Sequence, residues 1–182
     1  AKELVKTGIT AIAYETVTAD DGSLPLLAPM SAIAGQIGFV VGSYFLLKPN
    51  KGIGVLLDSI GDIEPRVVTV IGAGVAGTEA IKKAVASGAY VKIIDLSEHK
   101  LQQLKQTFGE DKIEYIISTP ETVAAALISS DLVIGSVYVI GKEAPKVITK
   151  EMISKMKPGS VLVDIAIDQG GCIETSKPTT HD

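Results

Sequence analysis

The sequence predicts an α/β domain built on a doubly wound parallel sheet. Three observations carry that prediction. From Val67 onward, short apolar runs alternate with longer amphipathic segments, five strand-like runs in all. The runs are apolar almost throughout, as strands covered on both faces are. A glycine-rich turn, Gly72-Ala73-Gly74-Val75-Ala76-Gly77, joins the first run to the helix after it.

The elements follow in order. Ile9 to Val17 is rich in Ile, Thr, Val and Tyr and reads as a strand, closed by a turn at Asp20-Asp21-Gly22-Ser23. A helix is expected from Pro29 or Met30 to about Pro49. Pro49 to Pro65 carries five Gly or Pro breaks and reads as a loop, with room for one short strand. Val67–Ile71 is the first buried strand. Ala80, Ile81, Ala84 and Val85 share one stripe of the helix that leaves the glycine turn, and Gly88 ends it. Tyr90–Ile94 is the second strand. Ser97 caps a helix with Leu101, Leu104 and Phe108 on one face, stopped by Gly109. Ile113–Ile117 is the third strand, and Thr119-Pro120 starts the next helix. Leu132–Ser136 is the fourth strand, Thr149 caps a short helix, and Val161–Ile167 is the fifth strand. Right-handed crossovers make the sheet parallel. Dinucleotide folds of this type usually add a sixth strand, so the sheet is expected to be incomplete at its C-terminal end.

Composition excludes several functions. The net charge of −4 over 182 residues offers no basic face for nucleic acid. With aromatics at 4 % and no Trp, Val, Ile, Leu and Ala must build the core. The single cysteine, Cys172, cannot form an internal disulfide or a multi-thiolate metal site, and a reducing cytoplasmic setting follows most simply. Lys2, Glu3 and Lys6 argue against a leader peptide. Leu24 to Leu47 has no charge, yet Pro25, Pro29, Ser31, Gln36 and Ser43 interrupt it, and Ala34, Gly38 and Gly42 place small residues where helices approach closely. That segment reads as a buried or interface helix rather than a membrane span, and it suggests a homo-oligomer.

The glycine turn carries the chemistry. Gly72 permits the tight turn, Gly74 lets a pyrophosphate reach the backbone, and Gly77 lets the helix pack on the strand. The helix start then offers free N–H groups to phosphate. Asp95 stands 23 residues after Gly72, at the end of the second strand. An acid there accepts hydrogen bonds from ribose hydroxyls and repels a 2′-phosphate, which favours NAD over NADP. Asp95 is otherwise an acidic cap residue. Lys100 either reaches the ribose or is a solvated charge. Ser118, Val137 and Tyr138 lie at strand ends, where ligands bind in open parallel sheets, and Ser118 is equally a turn residue. Asp168, in Asp168-Gln169-Gly170-Gly171, is either a catalytic carboxylate or a turn-forming Asp. His99 lies on a charged helix face and His181 near the last residue, so neither is placed as a general base. No metal-ligand spacing occurs. Cys172 reads as a packed residue rather than a nucleophile.

Together these blocks resemble the NAD-binding domain of the bacterial alanine dehydrogenase family. The resemblance rests on Thr10-Ala11-Ile12-Ala13-Tyr14-Glu15-Thr16, on Leu24-Pro25-Leu26-Leu27-Ala28-Pro29-Met30-Ser31, on the glycine turn through Asp95, and on Met156-Lys157-Pro158-Gly159 through Gly171. It implies a Rossmann-like domain over residues 29–182, with residues 1–28 belonging to a linker and the end of a substrate domain. It also implies roles. Ser31 lies near the diphosphate, Ala73, Gly74 and Val75 line the pyrophosphate, and Asp95 and Lys100 hold the adenosine ribose. Ser118 lies near adenine, Val137, Tyr138 and Ile165 flank the nicotinamide, and Asp168 is the active-site carboxylate. The family oxidises L-alanine reversibly to pyruvate and ammonium with NAD. Its substrate-gripping arginine, lysine and histidine have no counterpart here, so this chain alone is expected to bind NAD without turnover. Proton-translocating transhydrogenases are the related alternative. They usually carry Glu at the place of Asp168 and lack a close match to Leu24-Pro25-Leu26-Leu27. A non-catalytic nucleotide-sensing module is a third possibility, against which the Asp168-Gln169-Gly170-Gly171 block argues.

Overall fold

The computed structural model describes residues 2–139 and 143–179. Five parallel strands form one sheet: β1 (Val67–Ile71), β2 (Tyr90–Asp95), β3 (Ile113–Ile117), β4 (Leu132–Gly135) and β5 (Val161–Asp164). Their order is β3-β2-β1-β4-β5. The chain therefore winds outward from β1 through β2 to β3. It then returns to lay β4 against the other side of β1, with Val68 beside Leu132 and Ile71 beside Gly135. That reversal leaves a crevice beyond the carboxyl ends of β1 and β4, where ligands bind in such sheets.

Alternation along the strands feeds two cores. Val68, Val70, Leu132 and Ile134 face one side, under α2 (Ala28–Phe45), α3 (Val75–Ala86) and α4 (Glu98–Phe108). Ile71, Ile94 and Val133 face the other, under α5 (Pro120–Ser129), with Ile148, Met156, Cys172 and Ile173. The short α6 (Lys150–Ser154) follows Thr149, whose hydroxyl accepts from Met152 N. Because both faces are covered, the strands need no polar side, which explains their nearly continuous apolar runs. Thr69, the polar residue within β1, is fully buried and hydrogen-bonded to Ser130 Oγ at 2.6 Å. Ser130 in turn donates to Ala126 O, so no hydroxyl is left unpaired.

The caps fall where the sequence places them. Ser97 Oγ accepts from Lys100 N, and Thr119 and Thr122 form a reciprocal capping box above Pro120. Helix α2 has no charged residue and carries its buried glycines, Gly35, Gly38 and Gly42, on the face turned to α3, β4 and β5. Met30, Ile33, Ile37, Val40 and Tyr44 lie exposed on its other face. No helix among the described residues is long and apolar enough to cross a membrane.

Two expectations need correction. Ile9 to Val17 is not a strand. It is irregular apart from a 3₁₀ turn at Tyr14–Thr16, and Ile9, Ile12, Tyr14 and Val17 are exposed. No strand among the described residues pairs with it, and β-favouring side chains do not make a strand without a neighbour to pack on. A short helix not expected from the sequence, α1 (Lys2–Lys6), precedes it. The fifth strand is also shorter than its apolar run, ending at Asp164 rather than Ile167. The Asp164 carboxylate accepts from the N–H groups of Ala166, Cys172 and Ile173, which folds the chain back on itself. Asp168 consequently sits in a 3₁₀ turn, Ile167–Gln169, rather than at a strand end. Beyond β5 a cleft of about 600 Å³ runs along the sheet edge, between Phe45, Val163 and Ser176. His181 lies outside the described residues.

Candidate functional site

The site begins with three close backbone approaches. Gly72 has φ +97, and a Cβ there would lie 2.7 Å from Ser136 O. A Cβ on Gly77 would lie 1.8 Å from Gly72 O, so only glycine lets α3 start this near β1. Gly74, at the N-cap of α3, has nothing within 4 Å of where its Cβ would stand. Its backbone is not in the left-handed region, at φ −76, so neither the dihedral nor packing within the chain requires glycine there. No side chain caps α3. Its first N–H groups are therefore left without a side-chain acceptor among the described residues, and the helix dipole adds positive potential there. That combination suits a phosphate.

Two side chains hold the turn in shape. Asp95 Oδ2 accepts from Ala73 N at 2.6 Å, and Oδ1 accepts from Ser97 N at 2.8 Å. The acid at the end of β2 thus ties the glycine turn to the start of α4. Across β1, the Ser136 hydroxyl lies 2.8 Å from Gly72 O, to which it donates. Ser136 was not singled out in the sequence, although a polar residue closing the apolar run of β4 is the signal that finds it. Gln36 was also missed as a contact: from α2 it donates to Glu79 on α3 at 3.0 Å. The Lys82 ammonium beside Glu79 holds that carboxyl below the usual carboxylate range, and Gln36 adds a second donor.

A cleft of about 510 Å³ lies along the turn, lined by Ala73, Gly74, Val75, Thr78, Lys100 and Gln103 among others. Lys100 therefore shares a cavity with the phosphate-facing backbone. Val75 is exposed at its mouth. Ser31 stands one helical turn before Gly35, whose α-carbon face meets Ala76 O, so helical spacing directs Ser31 towards the α3 N-terminus. Ser118 follows β3, and its N–H donates to Asp95 O at 2.9 Å. Val137 and Tyr138 follow β4, the first half-buried against the second core and the second partly exposed. Ile165 follows β5, donates its N–H to Gly135 O, and touches α2 at Gly38. Every sequence-singled residue from Gly72 to Ile165 thus lies at, or one helical turn beyond, the carboxyl edge of the sheet. Asp168 lies farther out on its 3₁₀ turn, exposed, and no described residue hydrogen-bonds its carboxylate. Cys172 is fully buried in the second core, and burial pushes its thiol up to about 12.

A parallel sheet in the order 3-2-1-4-5, with a glycine turn opening at its switch point beside an acid on the next strand, defines a Rossmann-type nucleotide-binding domain. The family described as "Alanine dehydrogenase/PNT, C-terminal domain" matches residues 38–182, and the chain belongs to that family. It is 49 % identical to the alanine dehydrogenase of Halomonas elongata over 180 residues, covering 99 % of this chain and 48 % of that protein. A solved L-alanine dehydrogenase superposes with a TM-score of 0.91 at 44 % identity, covering 98 % of this chain and 49 % of that one. The transhydrogenase from Sinorhizobium meliloti superposes less closely, with a TM-score of 0.72 at 28 % identity, covering 83 % and 44 %. The chain spans about half the length of the curated relatives it matches.

Proposed function

We propose that this chain is the cofactor half of an NAD-dependent L-alanine dehydrogenase. Residues 29–182 form the NAD-binding domain, and residues 1–28 lead to the part that binds substrate. The observation that carries the reading is the uncapped, unobstructed start of α3 beside the Asp95 carboxylate. Ala73, Gly74 and Val75 hold the pyrophosphate, with Ser31 nearby. Asp95 and Lys100 hold the adenosine ribose, and the negative charge of Asp95 disfavours a 2′-phosphate. Ser118 borders adenine, and Val137, Tyr138 and Ile165 border the nicotinamide.

When bound in this cradle, NAD would supply the hydride acceptor that oxidation of L-alanine and water to pyruvate and ammonium requires. Asp168, whose carboxylate has no hydrogen-bond partner among the described residues, offers it to the cationic nitrogen of the substrate. The residues that grip the substrate carboxylate lie outside this chain, so the chain alone binds NAD and turns over nothing. The charge-free α2 supports homo-oligomers: Ile33, Ile37 and Val40 can be covered by a second copy without burying a charge. A cytoplasmic location is in keeping with the single unpaired thiol.

Calorimetric titration with NAD, NADP and S-adenosylmethionine tests the cofactor, with NAD expected to bind tightest. Tighter NADP binding overturns the role of Asp95. Alanine-dependent NAD reduction by the whole protein tests the substrate, and activity with a different amino acid alone would overturn it. Light scattering on Ile37→Glu tests the oligomer, which is expected to dissociate.

A further inference from the structure

Asp164 is a half-buried carboxylate that the proposed chemistry does not use. Five donors converge on it. Oδ1 accepts from Ala166 N at 3.2 Å, Cys172 N at 3.1 Å and the Cys172 thiol at 3.4 Å. Oδ2 accepts from Ile173 N at 3.0 Å and the Ser176 hydroxyl at 2.5 Å. Ala166 lies before the turn that presents Asp168, and Cys172, Ile173 and Ser176 lie after it. One side chain therefore closes the base of the turn. Gly171, at φ +76, must be glycine for this closure, since a Cβ would lie 2.6 Å from Asp164 Oδ2 and 2.7 Å from Ser176 Oγ.

A second tie comes from the far side. The Lys146 ammonium donates to Gly170 O and, at 2.7 Å, to Gly171 O. Ala144 N donates to Gln169 O at 2.9 Å. Those carbonyls end the 3₁₀ turn, where a cation is favoured by the backbone dipoles. Within the turn, Gln169 N and Gly171 N both reach Ala166 O. The result is a loop fixed at base and flank whose one outward carboxylate, that of Asp168, is bonded to no described residue.

We propose that Asp164 and Lys146 are positioning residues for Asp168. They hold its carboxylate in one place relative to the nicotinamide edge formed by Val137 and Ile165, without touching substrate. The proposal rests on the reading of Asp168 as the active-site carboxylate. The chemistry of Asp164 suits the task. All five partners are donors, and only a deprotonated acid accepts on every side. Asn at this place would turn an amide against two of them. A group that must stand within about 0.5 Å of its working position needs such a fixed support.

Asp164→Asn is the direct variant, but it disturbs the local fold as well. Lys146→Met and Ser176→Ala remove one tie each, and Lys146 is exposed, so the core is untouched. The whole protein is measured for kcat, NAD affinity and melting temperature, with amide hydrogen exchange at Gln169, Gly170 and Gly171. We expect exchange at these amides and the fall in kcat each to change about tenfold in Lys146→Met, with NAD affinity within about twofold of the parent. Lys146→Arg, which keeps the two donors, restores kcat. Unchanged exchange in both Lys146→Met and Ser176→Ala overturns the clamp. Faster exchange with unchanged kcat overturns its catalytic purpose. Asp168→Ala separates the two readings: parental activity there refutes the active-site carboxylate itself, whereas loss of activity there with a silent Lys146→Met refutes only the positioning.

Discussion

Gly35→Ala sets two physical effects against each other. Ala is the better helix former, and in the middle of α2 the exchange gains about 1 kcal/mol by propensity alone. The structure opposes it. A Cβ on Gly35 would lie 2.0 Å from Ala76 O, 2.8 Å from Ala76 C and 3.1 Å from Ala76 Cα. All three are backbone atoms in the first turn of α3, so no rotamer change relieves them. Restoring a contact of about 3.4 Å requires the helices to part by roughly 1.4 Å. Overpacking of this kind costs about 3 kcal/mol when nothing can give. The net loss is about 2 kcal/mol, a fall in melting temperature of about 4–8 °C for a chain of this length. Gly38→Ala is the control. Its Cβ would meet Ile165 Cδ1 at 3.1 Å, the movable end of a side chain, so the propensity gain offsets most of the cost. Scanning calorimetry of both variants decides the matter. A Gly35→Ala chain that melts at or above the parent would refute the close approach of α2 to α3.

Three further outcomes are expected. Gly74→Ala changes stability by less than about 1 kcal/mol, because its dihedral is ordinary and the space is open. It nevertheless weakens NAD binding at least about tenfold by placing a methyl where the pyrophosphate lies, so unchanged affinity by calorimetry would move the phosphate elsewhere. Asp131→Ala lowers unfolding free energy by about 3 kcal/mol in urea, because Asp131 is 1 % exposed and accepts from Val67 N and Lys157 Nζ, both at 2.9 Å. Cys172 is held protonated, from an ordinary value of 9.0 up to about 12. The unfolded chain releases that proton first, so the stabilisation is full below pH 9 and is lost as pH rises towards 12, a slope that Cys172→Ala should lack in denaturation titrations.

How far the sequence could be read depended on whether the deciding partner was near in the chain. The strand at Val67–Ile71, the glycine turn, and the caps Ser97 and Thr119 are local: hydrophobic period, glycine spacing and a hydroxyl at the cap suffice. Ile9 to Val17 misled because β-favouring residues need a neighbouring strand, and spacing within one segment cannot show whether one exists. In α2 the repeat of small residues was visible, but which ones meet a neighbour depends on where that neighbour lies. The contacting stripe is Gly35, Gly38 and Gly42, and the tightest position, Gly35, touches backbone 41 residues away. The fifth strand shows the same limit at the site itself. Ile165-Ala166-Ile167 continues the apolar run, and only a charge at Asp164 hinted that a strand covered on both faces had ended. Its carboxylate prefers the N–H groups of Cys172 and Ile173, eight and nine residues later, to an extended chain, and that preference takes Asp168 out of the strand and onto an exposed 3₁₀ turn. A residue singled out in the sequence can therefore owe its place to another acid, four positions earlier, that carries no recognisable motif.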